Sequence, residues 1–215
     1  MSMEIQVWSD VICPWCYIGK RRLELALRGD NTTAVIYRAF QLDPSPVAGP
    51  APLKAVLAAK FGGPARVEQM WGQVRAIAAA DGLVLNFERA VNANTFDAHR
   101  LIAWAATQGR QAAMLDALQV AHFTDGVDIG AHPSLARVAG MIGLDEAAAL
   151  QFLGTPSAGA NEVTADLAAA RDFGVTSVPT FVIDGKYAVQ GAQEISVLRD
   201  AFHQVRRLEA ADGPR

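Results

Sequence analysis

Apolar and polar residues alternate over positions 3–9, with Ile5 and Val7 on one side, the period of a half-buried strand. From residue 14 to 28 the period lengthens to that of a helix, with Ile18, Leu23, Leu25 and Leu27 among its apolar positions. The basic run Lys20-Arg21-Arg22 is expected on the wet side of that helix, and Gly29-Asp30-Asn31 stops it. Residues 33–40 form a second β-branched and aromatic run. Strand, helix and strand in that order imply a parallel pair with a right-handed crossover.

The pattern then changes. Pro44, Pro46, Gly49, Pro50 and Pro52 break the chain and read as a linker. From about residue 53 to 172 the periodicity is helical and alanine-rich, with helices expected near 53–60, 64–80, 95–107, 110–123, 132–141, 145–153 and 158–173. Trp71, Trp104, Met70, Met114 and Phe123 are expected to be core of this block. Strand character returns at Thr180–Ile183, Asp184-Gly185 signals a two-residue hairpin, and Tyr187–Val189 continues it. Residues 193–208 read as a last helix carrying Ile195, Leu198, Phe202 and Val205 on one face. The order is β-α-β, a long helical stretch, then β-β-α, so the two chain ends must meet in one sheet. The expectation is an α/β, thioredoxin-like fold: 1–48 plus 174–208 form the thioredoxin-like domain, 49–173 a large all-helical insertion, and 209–215 a flexible tail.

Composition removes several classes of function. Of 215 residues 51% are hydrophobic and 19% charged, the balance of a globular core. A net charge of −3 leaves no electrostatic footprint for nucleic acid or an anionic membrane. No apolar run reaches the roughly 20 residues that span a bilayer. The start of the chain carries no basic and apolar leader pattern, so the expected location is cytoplasmic. The two cysteines present cannot build a disulfide framework or a four-sulfur metal site.

Those two cysteines lie in Asp10-Val11-Ile12-Cys13-Pro14-Trp15-Cys16, between the first strand and the first helix. In helix-start terms Cys13 is the N-cap and Pro14 the first helical residue, where its fixed φ fits and its missing N–H costs nothing. The Cys13 sulfur then faces unpaired N–H groups and the positive end of the helix dipole, which favours a thiolate. Cysteines so placed have pKa values lowered from about 8.5 to roughly 3.5–7.5. Cys16, one turn inward, should be less exposed and a more ordinary thiol. One sulfur attacks and the other resolves, as dithiol–disulfide exchange requires.

A Cys-x-x-Cys in a β-α-β setting reads as a thioredoxin-like redox motif. In such a sheet the Val178-Pro179 loop lies against the cysteines, and a cis bond there, which costs only about 0.5–1 kcal/mol over trans, would turn the Val178 backbone toward a passing peptide. Asp10 reads as a cap of the turn, with proton relay to Cys16 as the alternative. His99 and Arg100, on a predicted helix, are candidates to face the site across the insertion, although a lone helical histidine is more often structural. His122, His132 and His203 carry no signal beyond a surface or helix-end position. Asp125 and Asp128, with Gly126 and Gly130, miss the EF-hand spacing and read as turn and capping residues. Half a metal site completed by a second chain is the remaining alternative for Cys13 and Cys16; no metal is expected.

The chain resembles the DsbA-like thioredoxin-fold oxidoreductases, and within them the FrnE-like subgroup. The resemblance is carried by residues 9–24 (SDVICPWCYIGKRRLE), 94–101 (NTFDAHRL), 123–130 (FTDGVDIG) and 174–193 (GVTSVPTFVIDGKYAVQGAQ). It implies dithiol–disulfide oxidoreductase or isomerase activity, with Cys13 the nucleophile, Cys16 the resolving cysteine and Pro179 the cis-proline. Pro14, Trp15, Val178 and Pro179 would line the substrate. Substrates would be protein or small-molecule thiols and disulfides, with no tightly bound cofactor beyond a redox-active Cys13–Cys16 disulfide; glutathione is a candidate co-substrate and a homodimer a candidate assembly. Between the cysteines this sequence has Pro-Trp where DsbA itself has Pro-His. Trp15 brings no charge to hold a thiolate, so the expected potential lies between the roughly −120 mV of DsbA and −270 mV of thioredoxin. The competing reading is a glutathione-dependent isomerase or transferase of the 2-hydroxychromene-2-carboxylate isomerase or kappa type. Those proteins share the insertion but typically lack the cysteine pair. A third is a redox-regulated binding protein using the helical block as a platform.

Overall fold

The computed structural model describes residues 3–212. Strand β1 (Met3–Ser9), helix α1 (Pro14–Ala26) and strand β2 (Thr33–Ala39) make the first unit. β1 and β2 pair in parallel, from Met3 against Thr33 to Ser9 against Ala39. The return strands are β3 (Thr180–Ile183) and β4 (Tyr187–Gln190). β3 runs antiparallel beside β1 and β4 antiparallel beside β3, giving the order β2-β1-β3-β4. The chain ends therefore do meet in one sheet, and all four residues of β3, held between two neighbours, are buried. At the hairpin Asp184 and Gly185 both have positive φ (49° and 68°), and the Lys186 N–H closes the turn on the Ile183 carbonyl. The ladder pairs Ile183 with Tyr187, so Lys186 adds a third residue to the expected two-residue loop.

Alternation along the strands sorts two cores. Ile5, Val7, Phe181 and Ile183 share a cluster with Leu23 of α1 and with Leu198, Phe202 and Val205 of α9 (Ile195–Asp212). Trp8 and Val182, one residue out of phase, meet Ala170 of α8 (Ala160–Asp172) on the other face. The Trp8 indole N–H donates to the Asp166 carbonyl at 3.1 Å. Burial of such side chains stabilises by about 1.5–3 kcal/mol each.

Between β2 and β3 the insertion contributes α2 (Leu53–Phe61), α3 (Pro64–Ala80), α4 (Phe96–Ala106), α5 (Gln111–Val120), α6 (His132–Met141), α7 (Glu146–Leu153) and α8. It splits by packing. Leu101, Met114, Leu118, Leu135 and Leu153, from α4 to α7, join the sheet core. The α2–α3 pair instead packs with Phe87 and Phe123 on Tyr17 and Ile18 of α1, and Trp71 stacks on Phe87 at 5.0 Å. Among the described residues no helix is long and apolar enough to cross a membrane.

Four expectations are corrected. Met70 is 39% exposed, and Trp104 is only partly buried against the main core. Lys20 and Arg22 are buried, not on a wet face. The Lys20 ammonium pairs with Glu24 and with Asp116 of α5, over the Tyr37 ring, and Arg22 pairs with Asp81 at 2.7 Å, so each basic head is neutralised where α1 meets the insertion. The helix expected to run to 123 gives way at Ala121 to a π-helical turn, Ala121–Asp125, ended by Gly126 at φ 72°. The last helix continues through Asp212, with Glu209 of the expected tail bound to Lys186, while residues 213–215 lie outside those described.

Candidate active site

Cys13 stands at the N-cap of α1 with extended backbone (φ −91°, ψ 112°), and Pro14 opens the helix. The Cys13 N–H bonds to the Asp10 carbonyl, which tightens the turn leaving β1. Both sulfurs are reduced and buried; Cys13 is 4% exposed and Cys16 1%. Trp15 projects outward and Pro14 is half-buried. Helix α1 and the start of β3 approach closely at Gly19, where a Cβ would lie 2.7 Å from Pro179 Cγ. The Val178–Pro179 peptide bond is cis. Cys13 Sγ lies 3.9 Å from the Val178 carbonyl, which receives its thiol hydrogen. Among the described residues nothing accepts a hydrogen bond from the Val178 N–H.

The two thiols are pushed apart. The Cys16 thiol donates to Cys13 and holds the Cys13 pKa below the ordinary range; burial opposes this, and backbone N–H groups of Cys16 and Trp15 assist. None of those N–H groups makes a full cap hydrogen bond to Sγ, so the neighbouring thiol outweighs the helix start. Cys16 is raised well above the usual thiol range, first by burial and then by donating its hydrogen to Cys13.

Asp10 is fully buried behind Cys16. Its side chain does not cap α1. Oδ2 accepts the Leu42 N–H at 2.8 Å, and Oδ1 lies 3.3 Å from His99 Nε2. His99 Nε2 is also 3.0 Å from the Phe40 carbonyl, an obligate acceptor, so this nitrogen carries the ring proton. His99 therefore reaches the site from α4 through Asp10. It also lines a cavity of about 20 Å³ with Ser9, Arg38 and Asp166, room for about one water. Arg100, the next residue, faces away and binds the carbonyls of Phe152, Leu153, Thr155 and Ala158 at the end of α7. Asp128 closes its own turn by accepting the Gly130 N–H at 2.9 Å. Among the described residues no group of three or more His, Cys, Asp or Glu side chains could hold a metal ion.

Two polar residues of the insertion that the sequence did not single out are fully buried, His122 against its expected surface or helix-end position. His122, in the π-helical turn, is fully buried; burial lowers its pKa to about 4, against the opposing pull of the Asp10 charge. Gln119, one turn earlier, is equally buried.

A parallel β-α-β start, an antiparallel β-β-α finish and a dithiol at the first turn of α1 beside a cis X–Pro loop define a thioredoxin-fold oxidoreductase. The chain belongs to the family of DSBA-like thioredoxin domains, which it matches over residues 4–203. A probable DsbA oxidoreductase from Streptomyces coelicolor is 36% identical, superposes with a TM-score of 0.89, and covers 94% of this chain and 89% of its own. Two further likenesses are of fold. The cytosolic disulfide reductase DsbM of Pseudomonas aeruginosa is 23% identical (TM-score 0.64; 96% of this chain, 100% of its own). A 2-hydroxychromene-2-carboxylate isomerase is 19% identical (TM-score 0.70; 98% of this chain, 100% of its own).

Proposed function

We propose that this chain exchanges disulfides through Cys13 and Cys16. The Cys13 thiolate attacks one sulfur of a substrate disulfide; that S–S bond breaks, one substrate thiolate leaves, and a mixed disulfide forms. Cys16 then loses its proton and attacks Cys13 Sγ. The Cys13–Cys16 bond forms and the second substrate thiolate leaves. The substrate gains two electrons and the cysteine pair loses two. The observation that carries this reading is a dithiol on the first turn of α1 with Cys13 Sγ 3.9 Å from the Val178 carbonyl of the cis-proline loop; the opposite displacement of the two thiols agrees with it.

The free Val178 N–H and the nearby Val178 carbonyl offer an extended substrate backbone one donor and one acceptor beside Cys13, with Pro14, Trp15 and Pro179 as the apolar frame. Asp10 is the buried carboxylate behind Cys16, and His99 orients it. Within the family we assign the chain to the FrnE-like subgroup on its motif segments. Glutathione is proposed as a small-thiol co-substrate; DsbM of the same fold has been solved with it.

Cys16→Ser should stall the cycle, so that a mixed disulfide with a scrambled-disulfide protein substrate accumulates on Cys13, while Cys13→Ser forms none and loses insulin reduction. Wild-type protein that neither reduces insulin nor yields such an adduct as Cys16→Ser overturns the proposal. The second reading, a glutathione-dependent isomerase, draws on the architecture shared with 2-hydroxychromene-2-carboxylate isomerase. It predicts that Cys16→Ser keeps full activity on an isomerase substrate.

A further inference from the structure

Gln119 and His122 sit one turn apart and so share a face of the helix. Both are fully buried. Both ring nitrogens of His122 and both amide atoms of Gln119 have no hydrogen-bond partner among the described residues. Buried polar atoms are almost always paired with protein or ordered water, and the described residues supply no partner to any of these four. They are also complementary. A neutral imidazole and an amide each supply at least one donor and one acceptor, the set that bridging waters satisfy.

The place matters. The His122 ring packs edge-on against Phe123 at 4.6 Å, and Phe123 stacks on Tyr17, the residue after Cys16. The charged group acting on His122 is Asp10, which also acts on both cysteines. Among the described residues its carboxylate binds only the Leu42 N–H and His99, so it has lone pairs to spare for water. Cys16, at 1% exposed, must shed a proton before it can attack.

We propose that Gln119 and His122 hold ordered water behind Asp10, and that this pocket takes up the proton of the Cys16 thiol as Cys16 resolves the mixed disulfide. The inference rests on the exchange reading above. The proton leaves Cys16 Sγ along the bound water, which His122 and Gln119 hold in place with the donors and acceptors of the ring and the amide. As the Cys13–Cys16 bond forms and the substrate thiolate departs, that proton is relayed to solvent, and solvent protonates the thiolate. His122 touches water and not the reacting sulfurs, so it is a positioning residue.

The test is stopped-flow oxidation by dithiobis(nitrobenzoate), whose coloured thiolate is released twice. The first release reports attack by Cys13, the second resolution by Cys16. A second release absent from the wild type defeats the exchange reading itself. Given both releases, His122→Phe should leave the first rate unchanged, slow the second at least about tenfold at neutral pH, and make it climb more steeply with pH. His122→Gln, which restores a donor and an acceptor, should recover part of the loss. Gln119→Leu should slow the second release in the same sense, and it is read alone if His122→Phe does not fold. A second release with unchanged rate and pH profile in the variants that fold overturns the proposal.

Discussion

At Cys13 two stabilising influences were available, the start of α1 and the neighbouring thiol, and the thiol is the larger. No cation takes part. Trp15, 39% exposed in the intervening pair, contributes only its backbone N–H. Replacing it tests how far the potential is set by charge. Trp15→His places an ionisable ring a few ångströms from Sγ, and an opposite charge at that range lowers a pKa by about 1–3 units. One unit is about 1.4 kcal/mol, or about 30 mV for a two-electron couple. The expected outcome is a Cys13 pKa about one unit lower by thiolate absorbance, and a more oxidising potential by equilibrium with glutathione, approaching about 30 mV at a pH above the Cys13 pKa. An unchanged potential with a lowered pKa would show that the disulfide form is stabilised equally.

At the scale of elements, the site is a contact between α1 and the loop entering β3, and Gly19 sets its spacing. A helical glycine normally costs about 0.5–1 kcal/mol against alanine. Here the methyl would press on the Pro179 ring at 2.7 Å and on Phe181 at 3.4 Å, and neither is a flexible tip. Overpacking of that kind costs about 1–3 kcal/mol. Gly19→Ala should therefore fail to raise Tm, in contrast to Gly72→Ala in α3, where nothing lies within 4 Å of the added methyl. It should also slow mixed-disulfide formation by displacing Val178. A gain in Tm at Gly19 would show that the loop gives way freely.

For the whole molecule, burying a neutral histidine makes stability depend on pH. His122 titrates at about 4 in the folded chain and near 6.5 when unfolded, so between those values the unfolded state binds the extra proton. Its contribution is complete above pH 6.5 and is lost as the pH falls toward 4, by up to about 3 kcal/mol. Asp97, held below its usual range by Arg100 and His132 despite burial, adds to the loss as the pH falls further. Asp166, raised by burial, acts in the opposite sense. Urea unfolding at pH 7 and pH 4.5 should show the drop in the wild type and a clearly smaller one in His122→Phe. Equal drops would place the acid sensitivity elsewhere.

Local pattern and chemistry carried the strands, most helices, the Cys13–Pro14 helix start and the place of Pro179 before β3, because period, capping residues and cysteine spacing are local properties of a chain. The meeting of its two ends was legible too, since a β-α-β half and a β-β-α half each leave an edge that the other completes. Partners distant in sequence were not. Lys20 looked solvated until α5 brought Asp116 to within 2.6 Å, and Asp10 looked like a cap until Leu42 and His99 converged on it. His122 carried no mark at all. Its burial and its lowered pKa come from packing within the closed insertion, where Phe123 beside it stacks on Tyr17, contacts distant in sequence.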